Sequence, residues 1–398
     1  MASATRPDGD VSSVARCHVR HSVSLTADPA VSSLVATDAE LVSACARWSA
    51  AGIVGIDTEF FRERTYCPRP ALVQVADTDG VTLVDPLGIS EFAPLRVLLC
   101  DPAVRKLMHA HGEDLDVFEV LTGAVPVNVF DTQRAGAFAG HGFSLGYRSL
   151  VEALLGVVLD KGETRSDWLR RPLSPAQLRY AALDVAYLPP LYERLSRDLA
   201  TLGRTDWFAE EREHQRRARA LDKRPEAAYV RVKGRGALSP PHHATLRALC
   251  AWRETEAMAL DVPRRHLVTD EVLLTLARLP VPSPALLAEV KGLSPHVEAR
   301  YGQALLACIE TARAEGTIDA DAPIDMRPYA KDIKRLKEIV RRTSEAHNMP
   351  AELLANRRAL EALVVAVRRK GGDIPPEFRG WRHEVITDAL LESLHDGG

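Results

Sequence analysis

The sequence predicts an α/β domain followed by a helical region. Short apolar runs typical of β-strands occur near 53–60, 71–77 and 81–85, and helical and strand patterns alternate through about residue 200. Beyond about Arg204 the strand signals fade and apolar residues recur at helical spacing. At 398 residues the chain is too long for one typical core, so two or three domains are expected.

The composition suggests where each segment begins and ends. The N-terminal residues are rich in Ser, Ala, Asp and Arg without periodicity, which predicts a mobile arm. Proline and aspartate near 317–328 predict a connector between two helical domains. The predicted segments are the arm over 1–30, the α/β domain over 31–203, a basic helical linker over 204–237, and helical domains over 238–316 and 317–398.

The bulk composition is that of an ordinary globular protein, with 46% hydrophobic and 26% charged residues. No run approaches the ~18 consecutive apolar residues of a membrane span, and the N-terminus lacks a secretory pattern. A cytoplasmic protein is therefore expected. The six cysteines are scattered without a CxxC pair, which argues against a zinc site and a disulfide framework.

The net charge of −3 does not exclude nucleic-acid binding, because charge is distributed unevenly along the chain. The segment from Arg204 to Arg235 holds ten Lys and Arg residues against six Asp and Glu residues. A local basic surface of this kind neutralises phosphates without reading base sequence.

Carboxylates occur at spacings that place them in pairs. Asp57 and Glu59 lie two residues apart at the end of an apolar strand, so their side chains project to the same face. Tyr180 and Asp184 lie four residues apart on a predicted helix and share one face. That helix is expected to begin at Ser174, an N-cap followed by proline and, two residues later, by glutamine.

Several acids in one pocket raise each other's pKa unless divalent cations neutralise them. Oxygen ligands without cysteine favour Mg²⁺ or Mn²⁺, and two ions roughly 3.5–4 Å apart can clamp the attacking and leaving oxygens of a phosphodiester. The Tyr180 hydroxyl would orient the attacking water or help to remove its proton. Any one of these patterns alone is weak, because an Asp-x-Glu at a strand end is more often simply solvated.

Five segments, taken together, resemble bacterial ribonuclease D, within the wider DEDD exonucleases. The matching segments, in the family's order, are Gly55–Val75, His109–Phe118, Asp131–Gln133, Lys161–Leu173 and Tyr180–Tyr187. The resemblance covers roughly residues 30–390 and implies a ribonuclease H-like 3′→5′ exonuclease domain.

The resemblance also implies the chemistry and the residues that perform it. Members of the family are 3′→5′ exoribonucleases that use two metal ions, and tRNA precursors are the implied substrate class. The implied ligands are Asp57, Glu59, Asp114 and Asp184, and Tyr180 places the chain in the tyrosine branch. Asp114 rather than Asp116 is assigned because of its register with Phe118 in the family pattern, which spacing alone does not settle.

The helical region resembles two HRDC modules, which implies compact helical bundles that assist nucleic-acid binding. The first likeness rests on Trp252-Arg253, Asp261–Pro263, Asp270 and Glu289–Gly292. The second is more divergent and rests on Lys334–Val340, Leu353–Glu361 and Gly380–Glu384. Deleting 238–398 should chiefly impair RNA engagement, and a fragment ending near 237 with full activity on structured RNA would make the modules dispensable.

Three further side chains are candidate substrate contacts. Arg165 and Trp168 combine positive charge with an aromatic ring just before the Tyr180 helix, which suits phosphate steering and base stacking. A solvated loop with a buried tryptophan explains the same composition. Gln74, on the strand beside Asp57, is expected either to touch the terminal nucleotide or to be a buried amide satisfied by backbone.

Three polar residues near the acids are left out of the catalytic set. His109 and His111 lie close to a predicted ligand, but the acidic oxygens already suffice for the ions. Asp131 is interpreted as a helix N-cap ahead of Gln133.

Two rival functions remain open at this point. A 3′→5′ exonuclease acting on DNA uses the same carboxylates, and no residue reveals a reader of the 2′-hydroxyl. A catalytically silent nucleic-acid-binding adaptor is opposed by the intact acid set. A helicase is excluded because the sequence lacks a G-x-x-x-x-G-K-[ST] phosphate loop. A monomer that binds RNA is expected.

Overall fold

The computed structural model describes residues 31–160, 162, 166–315, 324–369 and 373–395. The predicted arm, the connector residues 316–323 and the substrate candidate Arg165 lie outside the described residues. Within those ranges, no helix combines the length and the apolar character needed to cross a membrane.

A six-stranded mixed sheet forms the centre of the N-terminal domain. Its strands are β1 (Val31–Val35), β2 (Ile53–Phe61), β3 (Arg69–Asp77), β4 (Gly80–Val84), β5 (Arg105–Met108) and β6 (Val129–Asp131). Their order across the sheet is β1-β4-β3-β2-β5-β6. β3 pairs antiparallel with β2 and β4, and the other three pairs are parallel. The three strands predicted from apolar runs are confirmed.

Helices cover both faces of this sheet, which confirms the predicted α/β class. One face carries α1 (Asp38–Ala51), α2 (Ala93–Cys100) and α3 (Asp114–Thr122). The other carries α4 (Thr132–Phe138), α5 (Tyr147–Leu155), α6 (Pro175–Ala186) and α7 (Leu188–Thr201). Because strand side chains alternate, β3 buries Val73 and Val75 in the first layer and Leu72 and Ala76 in the second.

The helix that carries Tyr180 begins where the sequence predicts. The Ser174 hydroxyl accepts a hydrogen bond from the backbone nitrogen of Gln177 at 3.2 Å. The side-chain oxygen of Gln177 accepts one from the backbone nitrogen of Ser174 at 2.9 Å. Pro175 occupies the first helical position, where its missing N–H costs nothing. This capping box fixes the start of α6, and therefore the position of Tyr180 and Asp184 along it.

The rest of the described chain is helical. Its helices are α8 (Thr205–Asp222), α9 (Pro240–Leu260), α10 (Arg264–Leu267), α11 (Asp270–Ala277), α12 (Pro284–Ala288), α13 (Pro295–Ala314), α14 (Ala330–His347), α15 (Ala351–Leu354), α16 (Arg357–Arg369) and α17 (Asp388–His395). Short 3₁₀ helices span Pro86–Gly88, Pro225–Arg231, Arg235–Ala237, Arg327–Tyr329 and Pro376–Phe378, and a π-helical turn spans His383–Thr387. Helices α9 to α13 enclose a core of their own.

The predicted basic linker is largely the helix α8, and part of its charge is neutralised within the protein. Arg219 and Lys223 each approach the Asp116 carboxylate at 2.7 Å. Arg216 and Arg217 pair with Glu213 on α8 itself. Because Asp116 lies on α3, these ion pairs tie the linker to the helix that begins with Asp114.

The last four helices share a hydrophobic core with the α/β domain. The Trp381 side chain is 2% exposed, with its ring 5.1 Å from Phe138 of α4 and stacked 5.8 Å from Trp207 of α8. The Trp381 backbone nitrogen donates to Glu210 at 3.0 Å. The C-terminal helices therefore share one core with the α/β domain, which argues against the separable module expected from the sequence.

Helices α9 and α10 contact the α/β domain through the loop that follows β2. The Tyr66 hydroxyl donates to the Glu254 carboxylate at 2.5 Å, and Arg264 donates to both of them. Nearby, the Cys67 nitrogen donates to Asp261 at 2.8 Å. Glu254 is 2% exposed, so the interface closes around its carboxylate.

Replacing Glu254 with alanine is expected to lower the free energy of unfolding by about 3 kcal/mol, because it leaves the Arg264 guanidinium half-buried without its partner. Urea unfolding followed by circular dichroism measures this loss. The control is Glu310→Ala, an exposed glutamate on α13. An equal, small effect of both substitutions would show that the Glu254 network does not stabilise the interface.

Candidate active site

The strand β2 brings Asp57 and Glu59 to the face of the sheet that packs against α6. Gly55, two residues earlier on the same face, allows this contact. A Cβ atom there would lie 3.0 Å from the Leu188 Cβ and 3.3 Å from the Val185 carbonyl oxygen. Real Cβ atoms rarely lie this close to their neighbours, so glycine at this position favours the close approach of the α6–α7 junction. The acids of β2 therefore lie close to those of α6.

Asp114 is the first residue of α3 and is only 9% exposed. Its Oδ1 accepts a hydrogen bond from the Thr58 hydroxyl at 2.5 Å. Thr58 lies on β2 between the two acids, so the strand also holds the third acid in place. Thr58 has no distinguishing pattern in the sequence, because its contact depends on where α3 begins in space.

Tyr180 and Asp184 lie one turn apart on α6, as their spacing predicts. The Tyr180 hydroxyl lies beside the Asp184 carboxylate. Burial raises the pKa of Asp184 to about 7, although the charge of Arg148 and the neighbouring Tyr180 hydroxyl both lower it. Burial and the neighbouring acids also raise the pKa of Tyr180.

The four acids are close enough to repel one another. Burial raises the pKa of Asp57 well above its usual range, and the charges of Asp114, Asp184 and Glu59 raise it further. Burial, followed by the charges of Asp184 and Asp114, raises the pKa of Glu59 to about 8. Burial likewise raises the pKa of Asp114. The structure therefore brings the four predicted acids together in one pocket.

This donor set fits divalent cations by its chemistry. Carboxylate oxygens are the preferred ligands of Mg²⁺ and Mn²⁺, and cations would relieve the repulsion that adds to burial in raising the pKa values of Asp57 and Glu59. Within the described ranges, no three His, Cys, Asp or Glu side chains already form a metal-binding cluster. The four acids are neighbours, but among the described residues no three of them are arranged around a single point that one ion could occupy.

The structure does not support substrate contacts for Gln74 and Trp168. Gln74 lies opposite Asp57 in the sheet but is 0% exposed, and neither atom of its amide has a hydrogen-bond partner in the described chain. Trp168 is 5% exposed, with its ring centroid 5.8 Å from that of Tyr180. Both side chains lie beneath the site. Trp168 supports the Tyr180 ring and offers no surface for base stacking.

The polar residues excluded from the catalytic set have structural partners. Asp131 caps α4, because its Oδ1 accepts hydrogen bonds from the Gln133 and Arg134 nitrogens. Its Oδ2 lies 3.1 Å from the His111 Nδ1, and the His109 Nδ1 lies 2.9 Å from the Thr132 hydroxyl. The N-cap prediction for Asp131 is confirmed.

Two neighbours of Tyr180 had no signal in the sequence. The Arg148 guanidinium lies over the Tyr180 ring, 5.3 Å from its centroid. Gly162 passes so close to the ring that a Cβ atom there would lie 2.3 Å from the Tyr180 Cδ2. Arg148 has no spacing or composition that points to the site, because it reaches Tyr180 through tertiary packing. Gly162 belongs to the Lys161–Leu173 segment, but its closeness to the ring appears only in the folded chain.

Family models match three parts of the chain. A model described as 3′-5′ exonuclease matches residues 33–200, and an HRDC domain model matches residues 242–309. A model described as ribonuclease D, C-terminal HRDC domain, matches residues 328–390. These three matches follow the order of the α/β domain, helices α9 to α13 and helices α14 to α17.

Full-length relatives and a solved structure agree with these models. Ribonuclease D of Pseudomonas paraeruginosa is 38% identical over 361 residues, which cover 90% of this chain and 96% of the relative. Ribonuclease D of Escherichia coli K12 is 35% identical over 374 residues, which cover 91% of this chain and 98% of the relative. The crystal structure of the Escherichia coli protein superposes with a TM-score of 0.79 at 35% identity, and the match covers 91% of this chain and 98% of that one. That protein is described as an exoribonuclease involved in structured RNA processing. With its acids gathered on this fold, the chain belongs to the ribonuclease D family of 3′→5′ exoribonucleases.

Proposed function

We propose that this chain removes nucleotides from the 3′ ends of structured RNA, with tRNA precursors as the substrate class, and releases 5′ nucleoside monophosphates. The observation that carries the proposal is the meeting of Asp57, Glu59, Asp114 and Asp184 at one place, with the Tyr180 hydroxyl beside Asp184. The solved relative described as taking part in structured RNA processing supports the substrate class.

In this proposal each side chain of the pocket has one task. Asp57, Glu59, Asp114 and Asp184 hold two divalent ions, Mg²⁺ or Mn²⁺. When bound, these ions supply an activated water and stabilise the charge that develops on the scissile phosphate. Thr58 holds the Asp114 carboxylate in position. The Tyr180 hydroxyl, held by Asp184, orients the attacking water.

The proposal also divides the chain by task. Residues 31–203 perform catalysis. The helical domains over 238–316 and 317–398 engage the RNA backbone, and the linker over 204–237 joins them to the catalytic residues. Cationic surfaces in such domains gain affinity by neutralising phosphates. The monomeric state and the cytoplasmic location stay predictions from the sequence.

Labelled RNA tests this proposal directly. With Mg²⁺ or Mn²⁺, a 5′-labelled tRNA precursor is expected to shorten in a ladder, while a 3′-labelled one releases a labelled mononucleotide at once. EDTA is expected to stop both reactions. Faster degradation of a matched DNA strand would favour the DNA exonuclease, and activity that survives EDTA would contradict the assignment of the acids as metal ligands.

Replacing Tyr180 with phenylalanine is expected to reduce kcat about 10²-fold, because the water loses the hydroxyl that orients it. Apparent Mn²⁺ affinity is expected to change by less than about threefold, since the acids remain. Single-turnover kinetics at varied Mn²⁺ separates the two effects. The control is Tyr192→Phe, which removes a hydroxyl that binds Arg105 away from the acids. Loss of metal affinity with unchanged kcat would reassign the Tyr180 hydroxyl.

A further inference from the structure

Arg148 is a cation beside the acids that neither the strand nor the helix patterns predict. It is the second residue of α5, and its side chain is half-buried. Its guanidinium carbon lies 5.3 Å from the centroid of the Tyr180 ring, so the planar group covers the ring of the tyrosine whose hydroxyl lies beside Asp184. Contact between a guanidinium and an aromatic face fixes the orientation of an otherwise mobile side chain.

The hydrogen-bond donors of Arg148 have no partner among the described residues. Its guanidinium forms neither an ion pair nor a hydrogen bond with any of them. Arg171 shows the contrast, because its guanidinium binds the Asp85 carboxylate and the carbonyl oxygens of Ala71 and Trp168. Arg171 holds the fold together, whereas the interaction that the described residues offer the Arg148 guanidinium is the Tyr180 ring.

The surroundings of Arg148 indicate what its donors would bind. Four carboxylates make the pocket acidic, and an RNA phosphate that approaches it meets repulsion. The charge of Arg148 already acts on this pocket, since it lowers the pKa of Asp184 against the effect of burial. A guanidinium presents paired donors that match two oxygens of one phosphate.

We propose that Arg148 is a substrate-binding residue that donates hydrogen bonds to a non-bridging phosphate oxygen near the RNA 3′ end. The inference rests on the proposed function, because it requires the RNA terminus to lie beside Tyr180 and Asp184. Arg148 draws the backbone past the Tyr180 ring and offsets the repulsion from the acids. Its contribution therefore falls mainly on substrate affinity.

Steady-state kinetics on a 5′-labelled single-stranded RNA tests the proposal with full-length Arg148→Met. The variant is expected to raise KM roughly tenfold, as the loss of a charge-assisted hydrogen bond does, and to change kcat by less than about threefold. The control is Arg197→Met, which removes an exposed arginine of α7. Added methylguanidinium is expected to restore part of the lost affinity of Arg148→Met and to leave the control unchanged.

Neutral linkages identify the contact itself. Methylphosphonate replaces each of the last three RNA linkages in turn, and the loss of affinity is compared between wild type and Arg148→Met. At one linkage the affinity of the wild type for RNA is expected to fall about tenfold. The affinity of Arg148→Met is expected to change little there, because the variant already lacks the interaction. Equal losses at every linkage, or a fall in kcat with unchanged KM, would overturn the proposal and leave Arg148 as a support for Tyr180. A wild-type protein that leaves RNA intact would instead refute the proposed function.

Discussion

Replacing Asp57 with asparagine is expected to reduce RNA degradation at least about 10³-fold at saturating RNA. Asp57 interacts with each of the other three acids, so its carboxylate is central to the proposed metal site. Losing several kcal/mol of transition-state stabilisation corresponds to this factor. The measurement is the single-turnover rate with Mn²⁺. Asp222→Asn, an exposed acid on α8, is the control, and activity retained in Asp57→Asn would remove Asp57 from the site.

The same variant is expected to raise the thermal midpoint of the metal-free protein at pH 8. The pKa of Asp57 is raised well above its usual range. The pKa of Glu59 is raised to about 8 and that of Asp184 to about 7. A carboxyl whose pKa is higher in the folded state stabilises the fold below its unfolded pKa of about 4, and this stabilisation disappears as the pH rises through the folded pKa. Asparagine removes one of these buried charges.

Thermal scans in EDTA at pH 5 and pH 8 measure this effect. From pH 5 to pH 8 the thermal midpoint of the wild type is expected to decrease by more than the midpoint of Asp57→Asn. Added Mg²⁺ or Mn²⁺ is expected to raise the wild-type midpoint again at pH 8. Asp222→Asn should follow the wild type. A lower midpoint for Asp57→Asn than for wild type at pH 8 would contradict the repulsion among the acids.

Replacing Trp381 with alanine is expected to lower the free energy of unfolding by about 3–5 kcal/mol. The ring fills the core between Phe138 of α4 and Trp207 of α8, so its loss opens a cavity next to the catalytic half. Urea unfolding measures the change. For the same reason, a fragment that lacks residues 317–398 is expected to aggregate, because its α4 and α8 expose apolar faces.

Trp252→Ala is the matched control for Trp381. Trp252 lies half-buried against Tyr301, in the separate core of helices α9 to α13. Its loss is expected to destabilise those helices while the α/β domain keeps its thermal transition. A soluble, active fragment that ends before residue 317, or an effect of Trp381→Ala below about 1 kcal/mol, would show that the C-terminal helices are separable.

The parts of the site that depend on local geometry are predictable from the sequence. Strand periodicity places Asp57 and Glu59 on one face, helical periodicity places Tyr180 above Asp184, and Ser174 marks the start of their helix. The choice of Asp114 over Asp116 depended on the family resemblance. The structure supports that choice, because Asp114 interacts with Asp57 whereas Asp116 pairs with Arg219 and Lys223.

The parts that depend on tertiary packing are not predictable in this way. Gln74 and Trp168 are polar or amphipathic and lie next to the acids, and only the packing of α6 shows that both are buried. Arg148 reaches the site from a helix without a motif. The local pattern around Trp381 does not reveal Phe138, Trp207 and Glu210 as partners, since these three residues lie more than 170 residues away along the chain.

Diffraction from crystals soaked with Mn²⁺, recorded at the manganese absorption edge, tests the central claim most directly. Two anomalous peaks roughly 3.5–4 Å apart are expected among the carboxylates of Asp57, Glu59, Asp114 and Asp184, because paired ions at that distance suit phosphodiester displacement. Peaks at other positions, or carboxylates that remain without metal at saturating Mn²⁺, would contradict the account.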